Sequence, residues 1–150
     1  MKIVVQRVTQ ASVTIDGKVK GEIKDGFMIL AGFVDDDTDQ DLEWIAGKIV
    51  GLRVFNDQQG VMNLSIQDTG GDILLISQFT LHALTKKGNR PSYIMAAKPE
   101  IAKPLYNKFI GVLEKHLGKP ISTGEFGADM KVSLLNDGPV TIIIDSKDRK

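Results

Sequence analysis

The sequence predicts an α+β fold, with a mainly antiparallel, barrel-like curved sheet and two outer helices. Three observations carry this prediction. Short β-branched and aliphatic runs recur along the chain. Turn signals separate them at Asp16-Gly17, Asp25-Gly26, Asn56 to Gly60 and Asn136 to Pro139. Only two stretches place apolar residues at helical period. A chain of 150 residues is expected to form one domain over 1–150, with a tail loosely ordered from about 146.

Lys2 to Val8 is β-branched and aliphatic and reads as a first strand. Ala11, Val13 and Ile15 alternate with Ser12 and Thr14, the pattern of a half-buried strand. Val19 to Ile23 returns after the Asp16-Gly17 hairpin signal, and Phe27 to Val34 is a mostly apolar strand. The acidic run Asp35 to Asp39 is not a calcium loop. Counted from Asp35, the sixth position is Gln40 rather than glycine and the twelfth is Ala46 rather than glutamate. It reads instead as a helix start capped by Asp37 or Thr38. Leu42, Ile45, Ala46, Ile49 and Val50 then form one apolar face, and Gly51 stops the helix. Trp44 falls off that stripe and is expected to cover a sheet edge or a subunit contact.

Leu52 to Phe55 and Val61 to Ile66 read as short strands. The next strand opens at Gly70-Gly71 and continues to Leu81. Its four consecutive apolar residues, Ile73 to Ile76, fit a strand buried on both faces. His82 to Pro91 is a polar, basic loop. Pro99 suits the first turn of a second helix, whose apolar face is Ala102, Leu105, Phe109, Val112, Leu113 and Leu117. Pro104 lies inside that pattern, so the helix is expected to kink or to start later. Strands at Met130 to Leu135 and Val140 to Ile144 flank the last turn.

Composition narrows the function. With 42% hydrophobic and 25% charged residues, this is an ordinary globular composition. No apolar run approaches the roughly 20 residues that span a membrane, and the first residues lack a signal-peptide core. There are no cysteines, which removes disulfides and thiolate zinc sites. Together these features fit the cytoplasm and no membrane partner. The 19 basic and 19 acidic residues balance, which argues against charge-driven binding of long nucleic acid. A local basic patch remains at Lys86, Lys87 and Arg90, for which solvated surface is the plainer reading.

The usual catalytic patterns are missing. The only histidines are His82 and His116, and neither has an aspartate at a recognisable spacing. Gly-x-Ser-x-Gly, the P-loop and the dinucleotide fingerprint are all absent. His116 fits a helix end, where a polar or positive group suits the dipole. No cofactor or metal is required by any motif. Two polar stretches stand out at strand ends. Ser77, Gln78 and Thr80 abruptly end an apolar strand, where each unpaired buried group costs about 1–3 kcal/mol. Asn136 to Thr141 is the other. Polar pairing across the sheet explains the first, and a simple turn explains the second, as well as any ligand does.

The residues themselves say more. Ser77-Gln-Phe-Thr-Leu81 with Asn136-Asp-Gly-Pro-Val-Thr141 resembles the paired signature of the D-aminoacyl-tRNA deacylase (D-Tyr-tRNA deacylase) family. Gln6-Arg7-Val8 with Ala11-Ser12-Val13, Met62-Asn63-Leu64, Arg90-Pro91-Ser92 and Thr123 to Met130 extend the likeness. Each segment alone is weak, but six in order cover nearly the whole chain.

The resemblance implies the D-aminoacyl-tRNA deacylase-like fold and a homodimeric cytoplasmic hydrolase with active sites at the interface. It implies hydrolysis of the ester that joins a D-amino acid, or glycine, to the acceptor end of tRNA. Ser77, Gln78, Phe79 and Thr80 become the catalytic stretch, with backbone amides of Phe79 and Thr80 aimed at the oxyanion. Gly138-Pro139, with a cis peptide bond, enters the other subunit's site and leaves no space for an L side chain. Arg7 orients that loop.

No base is visible to activate Thr80, so water attack aided by the substrate's ribose hydroxyl is expected. The substrate assigns phosphate contacts to Lys86, Lys87 and Arg90, and the adenosine or amino-acid pocket to Phe79. Two alternatives share these features. One is a deacylase for another misacylated tRNA. The other is a nucleic-acid-binding module, as in relatives linked to DNA replication; those carry a C-terminal extension that is not seen here, so DNA is not an expected partner.

Overall fold

The computed structural model describes residues 1–150. Its longest elements are two paired strands, β1 (Lys2–Ile15) and β8 (Lys131–Asp145). Each merges two segments that look separate in the sequence. They run antiparallel from Lys2 opposite Asp145 to Thr14 opposite Lys131. The register breaks around Arg7, where residues 137–140 of β8 have no partner in the ladder. The Asn136–Pro139 turn signal is thus a bulge within one strand, not a reversal between two.

The other strands are β2 (Lys18–Ile23), β3 (Gly26–Gly32), β4 (Phe55–Asn56), β5 (Met62–Leu64), β6 (Asp72–Ser77) and β7 (Ser122–Thr123). The main sheet has the order β2-β1-β3-β6-β7, with β8 also on β1; β4 and β5 form a separate hairpin. β3–β6 and β6–β7 are parallel, so the sheet is mixed rather than mainly antiparallel. Hairpin signals report only on neighbours in sequence. A long crossover separates each parallel pair, and such connections allow parallel pairing without any local mark. The sheet nearly closes where β2 approaches β7. Ser122 donates its hydroxyl to the Glu22 carbonyl at 3.3 Å. Gly21 allows this, since a Cβ there would stand 2.8 Å from the Thr123 carbonyl oxygen.

Both predicted outer helices form, as α1 (Asp39–Gly51) and α3 (Pro99–Leu117). α3 begins at Pro99 and includes Pro104, where one helical hydrogen bond, to the Glu100 carbonyl, is lost. Because Glu100 is exposed, water can replace that bond. A one-turn helix, α2 (Ile66–Thr69), replaces the end of the expected 61–66 strand. Its signal was readable: Ser65 and Asp68 form a reciprocal capping pair, Ser65 amide to Asp68 at 2.9 Å and Asp68 amide to Ser65 at 3.2 Å. No helix is long and apolar enough to cross a membrane.

Two apolar clusters fill the structure. The larger lies between the sheet and the helices and includes Phe27, Ile29, Leu75, Ile45, Ile49 and Phe109. The smaller includes Val8, Val13, Met28, Leu74 and Ile76. Alternate residues of β3 and β6 feed opposite clusters, which explains why Ile73–Ile76 is apolar without a break.

The acidic run caps α1. The Thr38 amide donates to Asp41 at 2.8 Å, and the Val34 amide donates to Asp37 at 2.8 Å. Asp37 also binds the Met1 ammonium, which is buried with it. The tail is not loose from 146, as expected, because this acidic cluster holds it. Ser146 is buried and accepts from the Met1 ammonium at 3.0 Å, and Lys147 bonds Asp41 at 2.9 Å. Burial pushes the Asp41 carboxyl up, but bonds from Thr38, Lys147 and Ser146 outweigh it and hold the group well below the usual carboxylate range. Arg149 lies 4.4 Å from the Trp44 ring centroid, so the tail covers the off-stripe tryptophan.

Candidate active site

β6 ends at Ser77, and the chain turns at once into a 3-10 turn, Phe79–His82. The expected strand to Leu81 therefore stops four residues early. The Gln78 amide donates to the Ala31 carbonyl at 2.7 Å, which ties the turn to β3. Gly32 makes room for it: a Cβ there would stand 2.7 Å from the Gln78 carbonyl oxygen. Gln78 then donates its side-chain amide to the Thr80 hydroxyl oxygen at 2.6 Å. That oxygen is an acceptor here, which leaves the Thr80 proton to point elsewhere. The amides of Phe79 and Thr80 open the turn, at positions whose N–H groups find no acceptor inside it.

Ser77, Gln78 and Phe79 line a cavity of about 520 Å³. Its walls are largely apolar, with Ala97 just ahead of α3, Ala102 in its first turn, Phe126 and Met130 from the segment entering β8, and Val132 on β8 itself. Phe79 is 55% exposed and meets Tyr93 edge to face at 5.1 Å, forming one rim. Tyr93 and Lys98 are the only titratable lining residues. The wall therefore holds no carboxylate or histidine pair for acid–base work. Beneath it, the Tyr106 hydroxyl donates to the Leu75 carbonyl at 3.1 Å, and burial pushes its pKa up to about 12.

Arg7, Gly138 and Pro139 do not line this cavity. They lie at the β8 bulge. The Gly138-Pro139 peptide is cis, and Gly138 has φ +124°. A Cβ at Gly138 would stand 2.9 Å from Arg7 Nη2, so only glycine allows the guanidinium this close. Arg7 is 6% exposed. Its Nε donates to the Asp137 carbonyl at 3.1 Å, and its Nη1 donates to the Val54 carbonyl at 2.6 Å and to Asn56 at 3.4 Å. The arginine thus bridges the bulge to the start of the β4–β5 hairpin. Sequence reading singled out Arg7 but missed Val54 and Asn56, whose role comes only from the fold. It also missed Tyr93, which no local pattern marks.

Lys86, Lys87 and Arg90 are exposed on one loop, pinched at its base by Leu84 and Ser92 through bonds of 2.8 and 3.0 Å. His82 is not in an extended strand. It packs in the 3-10 turn against Gly32, with Nε2 buried and without a hydrogen-bond partner. His116 pairs with Glu43 at 2.7 Å near the end of α3.

A family model described as D-Tyr-tRNA(Tyr) deacylase matches residues 4–145. A D-aminoacyl-tRNA deacylase of Flavobacterium psychrophilum is 61% identical over 150 residues, 100% of both chains. That of Phocaeicola vulgatus is 62% identical over the same span. Among solved structures, one described as c-Myc DNA Unwinding Element Binding Protein superposes with a TM-score of 0.92 at 44% identity, covering 97% of this chain and 98% of that one. Another, described as a probable eukaryotic D-amino acid tRNA deacylase, gives a TM-score of 0.81 at 17% identity over 95% of this chain and 97% of that one, a likeness of fold.

Proposed function

The chain belongs to the D-Tyr-tRNA(Tyr) deacylase family, and from that premise we propose how its two motifs divide the reaction. It is a hydrolase that cleaves D-aminoacyl-tRNA to free amino acid and tRNA. The substrate's ester sits at the mouth of the apolar cavity, with its carbonyl oxygen toward the amides of Phe79 and Thr80. Those donors stabilise charge as it develops, a contribution worth about 2.7–4 kcal/mol per donor in well-studied hydrolases. Water attacks, helped by the ribose hydroxyl beside the ester. Thr80 orients rather than attacks, since its side-chain bond is one it accepts from Gln78 and no carboxylate or histidine takes its proton.

The observation that carries this reading is the division of the motifs. Ser77 to Phe79 line the cavity, whereas Gly138-Pro139 projects from the outside of the same chain. In a homodimer, Gly138-Pro139 of the partner subunit closes the cavity. Its backbone carbonyls hold the substrate's amino group and stand where an L side chain would go. A D side chain points away, and glycine has none to reject. Lys86, Lys87 and Arg90 contact acceptor-end phosphates. The work belongs in the cytoplasm, with charged tRNA.

One assay tests the reading: single-turnover hydrolysis of D-Tyr-tRNA, L-Tyr-tRNA and Gly-tRNA by the native protein. Cleavage of the D and glycyl forms with the L form spared is expected; L cleavage at a comparable rate overturns chiral selection. In the same assay Thr80→Val should keep its rate within about tenfold, whereas a loss near the million-fold cost of removing a true nucleophile would make Thr80 the attacking group. Neutralising Lys86, Lys87 and Arg90 together should flatten the salt slope of binding by roughly 0.7 per lost contact.

A further inference from the structure

We infer that Asn136 is a positioning residue for D/L discrimination, acting as a clamp across the neck of the Gly138-Pro139 loop. The inference rests on the chiral-selection reading above. Four residues, 137–140, stand opposite the single residue Arg7 and leave the β1–β8 ladder. A strand that does so must satisfy its backbone groups in another way. Arg7 takes one of them, the Asp137 carbonyl, at 3.1 Å.

Asn136 takes the matching group on the far side. Its Oδ1 accepts from the Val140 amide at 3.3 Å, and its Nδ2 donates to the Thr141 hydroxyl at 3.0 Å. Thr141 in turn accepts from Gln6 Nε2 at 3.3 Å, which fastens the neck to β1. Asn136 and Thr141 sit where the ladder resumes, opposite Val8 and Gln6. The asparagine therefore spans the whole excursion and sets its width.

Arg7 and Asn136 do different things. Arg7 supports the loop from below, close under Gly138. Asn136 fixes how far the two limbs part, and so the direction in which Gly138 and Pro139 point. If that direction wanders by even an ångström, the clash that excludes an L side chain is relieved, and the grip on the amino group weakens with it. Asn136 bonds no fully buried residue: its bond to Thr141 lies on an exposed edge and its bond to Val140 is part-buried. Its loss should change selectivity more than stability.

The test compares Asn136→Ala, Thr141→Val and Asn136→Asp with the native protein. The readouts are the ratio of kcat/KM for D-Tyr-tRNA over L-Tyr-tRNA and the melting temperature. Asn136→Ala should lower the D/L ratio about tenfold, within the net worth of the two hydrogen bonds it removes. Thr141→Val should lower it severalfold, because the Val140 clamp remains. Asn136→Asp, which still accepts from Val140 and can take the Thr141 proton, should restore it to within about twofold of native.

A merely structural residue would lower the melting temperature and both rates together and leave the ratio unchanged. That result overturns the inference, as does failure of Asn136→Asp to rescue. Should Asn136→Ala not fold, the ratio in Thr141→Val decides alone, and an unchanged value sinks the clamp. If the native protein itself does not distinguish D from L, it is the chiral-selection reading that fails. Normal native discrimination with an indifferent Asn136→Ala defeats the clamp only.

Discussion

Strands β6 and β8 carry the two motifs and meet solvent in opposite ways. β6 is buried from Ile73 to Ile76 and flanked by a strand on each side. β8 pairs only with β1 and has no fully buried position along its fifteen residues. Yet each presents backbone groups to the same proposed chemistry. At β6 those groups are placed by packing, since the strand beneath them is clamped between two apolar clusters. At β8 they are placed by side-chain hydrogen bonds from Arg7 and Asn136, since residues 137–139 are exposed and only the flanking Val140, Ile142 and Ile144 rest against the core. Damage to the first half should therefore appear as lost stability, and damage to the second as lost selectivity.

The largest effect that tests this contrast is Leu75→Ala. Leu75 is fully buried on the site strand itself, and the substitution should cost about 2–5 kcal/mol in urea unfolding. A cost below about 1 kcal/mol would mean that packing does not hold β6. In the folded fraction, the D/L ratio should stay near native.

Tyr106→Phe should cost about 1 kcal/mol, through the lost bond to the Leu75 carbonyl. Its pH dependence sharpens the point. Burial raises the folded pKa from 10.0 to about 12, so the folded state favours the neutral phenol. The associated stability is complete below pH 10 and falls as pH rises through that window. Melting temperatures between pH 9 and pH 12 should decline less steeply in Tyr106→Phe than in the native protein. Parallel curves would assign the alkaline loss to other groups. The smallest expected effect is on β8. Ile143 is 68% exposed, and Ile143→Thr should change unfolding by no more than about 0.5 kcal/mol. A cost of several kcal/mol there would erase the contrast between the strands.

Much of this was legible in the order of residues. The apolar run Ile73–Ile76 announced a strand buried on both faces, and the Thr38 cap with its period of apolar residues announced α1. The six motif segments announced the family. Where strands paired was less legible. The parallel partners of β6 come from distant parts of the chain, and pairing at a distance leaves no turn to read. The 136–141 segment shows the difference most clearly. Asn, Asp, Gly and Pro mark a departure from regular backbone, and a hairpin turn and a bulge use the same residues. Only the long β1–β8 ladder on both sides made it a bulge. The tail shows a related limit: nothing local to Lys147 or Arg149 marks Asp41 and Trp44 as their partners, which only the fold sets beside them.

By itself, then, the sequence determined which segments are buried, where the backbone departs from regularity, and to which family the chain belongs. These are local matters of burial period and turn chemistry, and of residue identity. Tertiary structure alone decided that Arg7, Val54, Asn56 and Asp137 form one support, and that Gly138-Pro139 stands away from the cavity lined by Ser77–Phe79. The physical reason is that a hydrogen bond between residues 47 to 130 positions apart is specified by the whole packing that brings them together, not by either residue's neighbours.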